Sequence, residues 1–136
     1  VHSPALTQLS ILAEPPGQTL TFFSGFWPDP LPVYGVADLI RTRNQAREMV
    51  QVLGSNAVVL LRWHGACIAG PTLEEAVYRA IYAEQNAAML LTALQHGWPI
   101  VPVQNSQAAY QNTVTEWFIA GLWHYEASFV PEPPAN

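Results

Sequence analysis

The chain has no lysine; its five basic residues are Arg41, Arg43, Arg47, Arg62 and Arg79. A Schiff base to a carbonyl substrate needs a lysine amine, so that way of stabilising a carbanion is closed within these residues. Cysteine is nearly absent. Cys67 is the only one, which excludes an internal disulfide framework and makes a cytoplasmic setting the default expectation. Charge is scarce: 11% of residues are charged, against about 25% in ordinary globular domains. No apolar run approaches the roughly 20 residues that cross a bilayer, and nothing reads as a signal peptide, so no membrane partner is expected. An initiating methionine is also missing. The chain opens at Val1 and reads as processed, cut or partial.

What is present is apolar. Half of the 136 residues are hydrophobic, enough for one domain with a core. The net charge of −5 argues against a nucleic-acid partner. A surface this poor in charge is expected to be partly covered, by other subunits or by further chain.

Ser3-Pro4 reads as the start of a helix, with serine as cap and proline in the first turn. Residues 17–23 (GQTLTFF) read as a strand. Residues 24–37 read as a structured loop or short edge strands. Thr42 to Gln45 fits a capping box, opening a helix with Ala46, Met49, Val50 and Leu53 on one face and Gly54 as its stop. Ala57 to Arg62 is a continuous apolar run of strand length, expected to be buried on both faces. Ala66 to Ala69 is expected to pair with it across a His64-Gly65 turn. Thr72 to Glu75 reads as a second capping box. It opens a long helix with a stripe at Leu73, Val77, Ala80, Ala87, Leu91 and Leu94, ended by Gly97, with His96 at the helix end. Residues 105–129 read as one last helix carrying Trp117, Phe118, Leu122 and Tyr125. These elements predict an α/β domain over residues 1–130, followed by a disordered tail at 131–136.

His64 stands between two apolar runs in LLRWHGACIAG. A histidine at such a turn emerges at the sheet end with little freedom, as a metal ligand or catalytic base requires. The plainer reading is a half-buried imidazole hydrogen-bonded to backbone. Glu84 falls on the apolar stripe of the long helix and needs a partner. Pairing with Arg62 or Arg79 is the favoured reading, and orientation of a ligand histidine is the other. Cys67 reads as a small core residue, and the five tryptophans as core and interface.

The stretch LLRWHGACIAGPTLEEAVYRAIYAEQNA resembles the class II aldolase/adducin family. In that family a buried strand ends at a metal-ligand His-Gly, and a Thr-Leu-Glu-Glu-Ala helix packs behind. Val1-His2-Ser3-Pro4 is similar to the end of the family's His-x-His-Ser-Pro metal motif. The resemblance implies a three-layer α/β/α fold with a central mixed, mostly antiparallel sheet. It implies that His2 and His64 are metal ligands, with a further histidine one residue before Val1 and the catalytic acid further upstream, on the same or a separate chain. It implies a divalent metal, zinc first, with manganese or iron(II) as alternatives. Late residues of this family reach a neighbouring subunit's site. Tyr125 is therefore a candidate proton donor, with His124 and Tyr34 as weaker candidates. A homotetramer is implied as well.

The expected function is a metal-dependent carbon–carbon lyase acting on a small molecule. A divalent ion would act as a Lewis acid for the negative charge developing on an enolate oxygen. Arg79-Ala-Ile-Tyr-Ala-Glu-Gln-Asn-Ala87 is similar to the decarboxylase-type members. A sugar-phosphate aldolase or epimerase is the competing enzyme reading, and a non-catalytic adducin-like scaffold is the competing class.

Overall fold

The computed structural model describes residues 1–36 and 38–131. The predicted tail at 131–136 lies, apart from Pro131, outside the described residues. Helix α1 spans Pro4–Ser10, and a short 3-10 turn spans Phe22–Ser24. Strand β1 (Val33–Tyr34) and helix α2 (Arg43–Leu53) follow. Then come β2 (Val58–Leu61), β3 (Gly65–Ile68), α3 (Leu73–His96), α4 (Ser106–Thr113) and α5 (Glu116–Ala127). Among the described residues, no helix is long and apolar enough to cross a membrane.

The sheet order is β1-β2-β3. β1 runs parallel to β2, and β2 antiparallel to β3. β2 is the predicted strand with two buried faces. Val58 and Leu60 join a core formed with Leu6 and Leu9 of α1 and Ala83, Ala87 and Leu90 of α3. Val59 turns to the other side and packs with Tyr34, Met49 and Leu53. The sheet therefore lies between α2 on one face and α1 with α3 on the other, because side chains alternate along a strand. The capping box of α2 is complete: the Gln45 N–H donates to Thr42 Oγ1 at 3.3 Å, and the Thr42 N–H donates to Gln45 Oε1 at 3.0 Å.

Four expectations about local structure need correction. Residues 17–23 form no strand. Their backbone is served by a side chain instead: Asn86 accepts from the Leu20 N–H at 2.8 Å and donates to the Gln18 carbonyl at 3.0 Å. The predicted stripe of α3 is rotated. Leu73 and Leu94 are exposed, while Tyr78, Ala83, Asn86, Ala87 and Leu90 are buried. Tyr78 and Asn86 bury well because their polar tips are paired, the Tyr78 hydroxyl donating to the Phe23 carbonyl at 2.9 Å.

The segment 105–129 is two helices. Val114 is extended, and the Thr115 side chain accepts from the Phe118 N–H, so a new helix starts there. The box at Thr72 is half formed: Thr72 accepts from the Glu75 N–H, while the Glu75 carboxylate pairs with Arg79 at 2.5 Å. One smaller expectation also shifts: Val50 is exposed. Of the tryptophans, Trp27 is buried in the core, and Trp63, Trp98 and Trp117 are exposed on this chain.

Candidate metal centre

β2 runs into a tight turn at Arg62–His64, closed by the His64 N–H donating to the Leu61 carbonyl at 2.9 Å. Trp63 sits in this turn at φ 61°, a left-handed conformation that costs a bulky residue about 1–3 kcal/mol and concentrates at functional sites. Gly65 follows at φ 119°. A Cβ on Gly65 would lie 2.3 Å from the Val1 carbonyl oxygen. Glycine is thus what lets the first residues of the chain lie against β3. The Val1 nitrogen donates to the Ala66 carbonyl at 2.6 Å, and the Ala66 N–H donates back to the Val1 carbonyl at 3.1 Å. This exchange is an antiparallel hydrogen-bonded pair, and it places His2 over the turn.

His2 and His64 meet there. Their ring centroids are 4.3 Å apart and the planes stand at 82°. His2 Nδ1 lies 3.0 Å from the His64 backbone oxygen. A carbonyl only accepts, so Nδ1 carries the proton and donates. The Nε2 lone pair of His2 is therefore left for a ligand, as in metal sites where the second ring nitrogen is held by a carbonyl. His2 is exposed and His64 half-buried.

The segment carrying His2 is clamped at both ends. Glu84, in the middle of α3, accepts from the Ser3 hydroxyl at 2.6 Å, the Ala5 N–H at 2.8 Å and the Leu6 N–H at 3.0 Å. A carboxylate from another helix thus caps α1, where a serine cap was expected; the Ser3 side chain makes no cap bond. Glu84 pairs with neither Arg62 nor Arg79, because the open N–H groups of α1 satisfy it. At the other end of α1, Arg62 donates to the Ser10 carbonyl at 3.2 Å and to the Leu12 carbonyl.

Two imidazoles, one with its tautomer fixed, fit part of a divalent-metal donor set. Among the described residues, no group of three or more His, Cys, Asp or Glu is placed to hold an ion. A hollow of about 350 Å³ opens beside His64, lined by Tyr34, Asp38, Arg41, Arg62 and His64 among others. The Tyr34 hydroxyl donates to Glu48 at 3.3 Å, and burial with that carboxylate beside it pushes the phenol above its usual range. Trp63 lines a smaller hollow that shares His64 and Arg62. A larger cavity of about 620 Å³, lined by Gln18, Asp29, Asn56 and Tyr110 among others, includes Ala57 at the opposite end of β2 and neither histidine.

The remaining candidates lie elsewhere. Tyr125 is 61% exposed on α5, edge-on to Phe129, and is not joined to the histidine pair within this chain. His124 is exposed on the same helix. His96 donates to the Thr92 carbonyl at 2.9 Å and stacks on Trp98, the expected helix-end role. Cys67 is half-buried against the α2 side of the sheet. Sequence reasoning missed Arg41 beside His64. The only available signal was its place directly before the Thr42 cap.

This layered arrangement, with a histidine at the end of a buried strand, has close structural counterparts. An aldolase II superfamily protein from Pseudomonas syringae superposes with a TM-score of 0.69 over 91% of this chain and 51% of its own, at 17% identity. L-fuculose 1-phosphate aldolase from Glaciozyma antarctica PI12 gives 0.69 over 92% of this chain and 48% of its own, at 18% identity. The fold is therefore the α/β fold of the class II aldolases. The profile of the Class II Aldolase and Adducin N-terminal domain family matches residues 1–91, and the chain belongs to that family. Curated relatives include 3,4-dihydroxyphthalate decarboxylase from Arthrobacter keyseri, 34% identical over 94 residues, or 64% of this chain and 38% of that protein. The protein of the same name from Terrabacter sp. (strain DBF63) is 43% identical over 61 residues, or 45% of this chain and 26% of that protein. The matched segments thus span well under half the length of these relatives.

Proposed function

We propose that this chain is part of a divalent-metal-dependent lyase that removes a carboxylate from a small aromatic or hydroxy acid. The observation that carries this reading is the His2–His64 pair, with Nδ1 of His2 donating to the His64 carbonyl at 3.0 Å. His2 through Nε2, together with the His64 ring, would hold the ion, zinc before manganese or iron(II). When bound, the ion supplies a Lewis acid for the charge left on the substrate as the carbon–carbon bond breaks. The chain's own part is positional. Glu84 and Arg62 hold α1 so that His2 stays over the turn, and the hollow beside His64 receives the acid.

The electron pair of the broken bond stays on the substrate carbon as carbon dioxide leaves, and that carbon takes up a proton. Tyr125, exposed on α5, is the donor in this reading, reaching the site of a neighbouring subunit in a homotetramer. Residues 1–130 act as one domain. The decarboxylase reading is preferred to aldol cleavage because the curated relatives named above are decarboxylases, whereas the likeness to the L-fuculose 1-phosphate aldolase, at 18% identity, concerns the fold.

The whole purified protein should contain stoichiometric divalent metal and release carbon dioxide from 3,4-dihydroxyphthalate. His64→Ala should remove metal and turnover while leaving the circular dichroism spectrum unchanged. Stoichiometric metal in that variant, or turnover that survives exhaustive chelation, overturns the reading.

A further inference from the structure

We infer that Arg41 is the group that recognises the substrate's carboxylate, which makes the hollow beside His64 a site selective for small aromatic acids. This rests on the proposed reading of the His2–His64 pair and adds the residue that selects the ligand. The hollow, of about 350 Å³, is lined by both Arg41 and His64, and its size suits a small organic ligand. Of the chain's five arginines, Arg62 and Arg79 are committed. Arg62 spends its guanidinium on the Ser10 and Leu12 carbonyls. Arg79 is held by the Ala69 carbonyl and by Glu75. The Arg41 guanidinium makes no hydrogen bond or ion pair among the described residues, and only its backbone N–H is engaged, donating to Gln45 Oε1 at 2.9 Å.

The local charge favours an anion. Arg41 and Arg62 line the hollow with one carboxylate, Asp38, and Asp38 Oδ1 already accepts from the Leu39 N–H at 2.7 Å. The nearby Glu48 carboxylate lies against the Tyr34 hydroxyl. A hollow whose lining residues include two arginines and one aspartate, in a chain of net charge −5, is a local exception to the overall charge. Such a site concentrates small anions. Arg41 also stands directly before the capped start of α2, so its Cα is fixed while its side chain stays free. A planar guanidinium pairs with a carboxylate through two parallel hydrogen bonds, which fixes the acid's orientation towards His64.

The test compares two probes on the whole zinc-loaded protein by equilibrium dialysis: 3,4-dihydroxybenzoate, and catechol, which lacks the carboxylate. Wild type should prefer the acid by about 10- to 100-fold, the factor of a charge-assisted pair. Arg41→Gln should erase that preference and leave catechol binding unchanged, and Arg41→Lys should restore part of it. The substitution leaves the backbone bond to Gln45 in place, so the fold is not at risk. A preference that survives Arg41→Gln, or wild type that binds both probes equally, overturns the inference. His64→Ala tests the underlying reading separately. If catechol binding is untouched there while the acid preference still depends on Arg41, the metal reading fails and the carboxylate site stands.

Discussion

The Glu84 carboxylate accepts a 2.6 Å hydrogen bond from the Ser3 hydroxyl, across 81 residues of sequence. It also takes the N–H groups of Ala5 and Leu6. One acid on α3 therefore fixes the residue that follows His2 and closes the open end of α1. The position of His2, the proposed metal ligand, is thus coupled to the packing of α1 on α3.

Glu84→Ala should show that coupling. Two N–H groups at the start of α1 lose their acceptor, which costs about 2–4 kcal/mol when charged hydrogen bonds are involved. The segment carrying His2 loosens, and metal affinity should fall about 10- to 100-fold, the scale seen when supporting residues of metal ligands are removed. Glu84→Gln keeps one acceptor oxygen and should fall between. Urea denaturation and zinc titration measure the two effects. A large stability loss with unchanged zinc affinity would show that Glu84 supports α1 alone.

Gly65→Ala should act on the same site from the other side. The residue sits at φ 119°, and its new Cβ would meet the Val1 oxygen at 2.3 Å. Both strain and collision oppose it, and about 2–4 kcal/mol is expected to be lost. The pairing of Val1 with Ala66 should open, and bound zinc should fall with it. Gly121→Ala is the matched control. Gly121 lies within α5 with no atom near its Cβ position, so alanine should stabilise the helix by about 0.5–1 kcal/mol. Thermal melts and metal content distinguish the two variants.

The parts legible in the sequence are those set by periodicity and local caps. β2 could be read because its apolar run is continuous and of strand length, and Val58, Val59 and Leu60 are fully buried as a strand between two layers requires. The capping box at Thr42 and the stop at Gly97 are local chemistry and appear as expected. His64 was conspicuous at its turn between two apolar runs, His2 came from motif resemblance, and the structure brings their rings together. Long-range polar pairing was not legible. Asn86 stands in for a strand partner of residues 18–20, and Tyr78 buries against the Phe23 carbonyl. A stripe drawn from aliphatic residues alone therefore points to the wrong face of α3. Glu84 was conspicuous as a charge on an apolar face, but its partners are backbone N–H groups, which every residue except proline offers.

The absence of lysine returns in the alkaline behaviour. With no lysine in the chain, the tyrosines dominate side-chain titration between about pH 10 and 12. Burial pushes the phenols of Tyr34, Tyr78, Tyr82 and Tyr110 above the usual value of 10.0. Tyr78 is pushed furthest: it is fully buried, and its ring lies 4.7 Å from that of Tyr82 and 6.1 Å from that of Tyr110. The folded chain keeps these protons at a pH where the unfolded chain has lost them. Their contribution is therefore whole below about pH 10 and is lost as pH rises towards the higher folded values, by up to about 1.4 kcal/mol per pH unit for each buried phenol. Tyr78→Phe removes one such group. It should cost about 1–2 kcal/mol near neutral pH, because the Phe23 carbonyl loses its donor. Its stability should then fall less steeply than wild type above pH 10, so that the two curves converge. Urea denaturation at half-unit steps from pH 8 to 11 measures both slopes. Equal slopes would show that the Tyr78 proton is not held by burial.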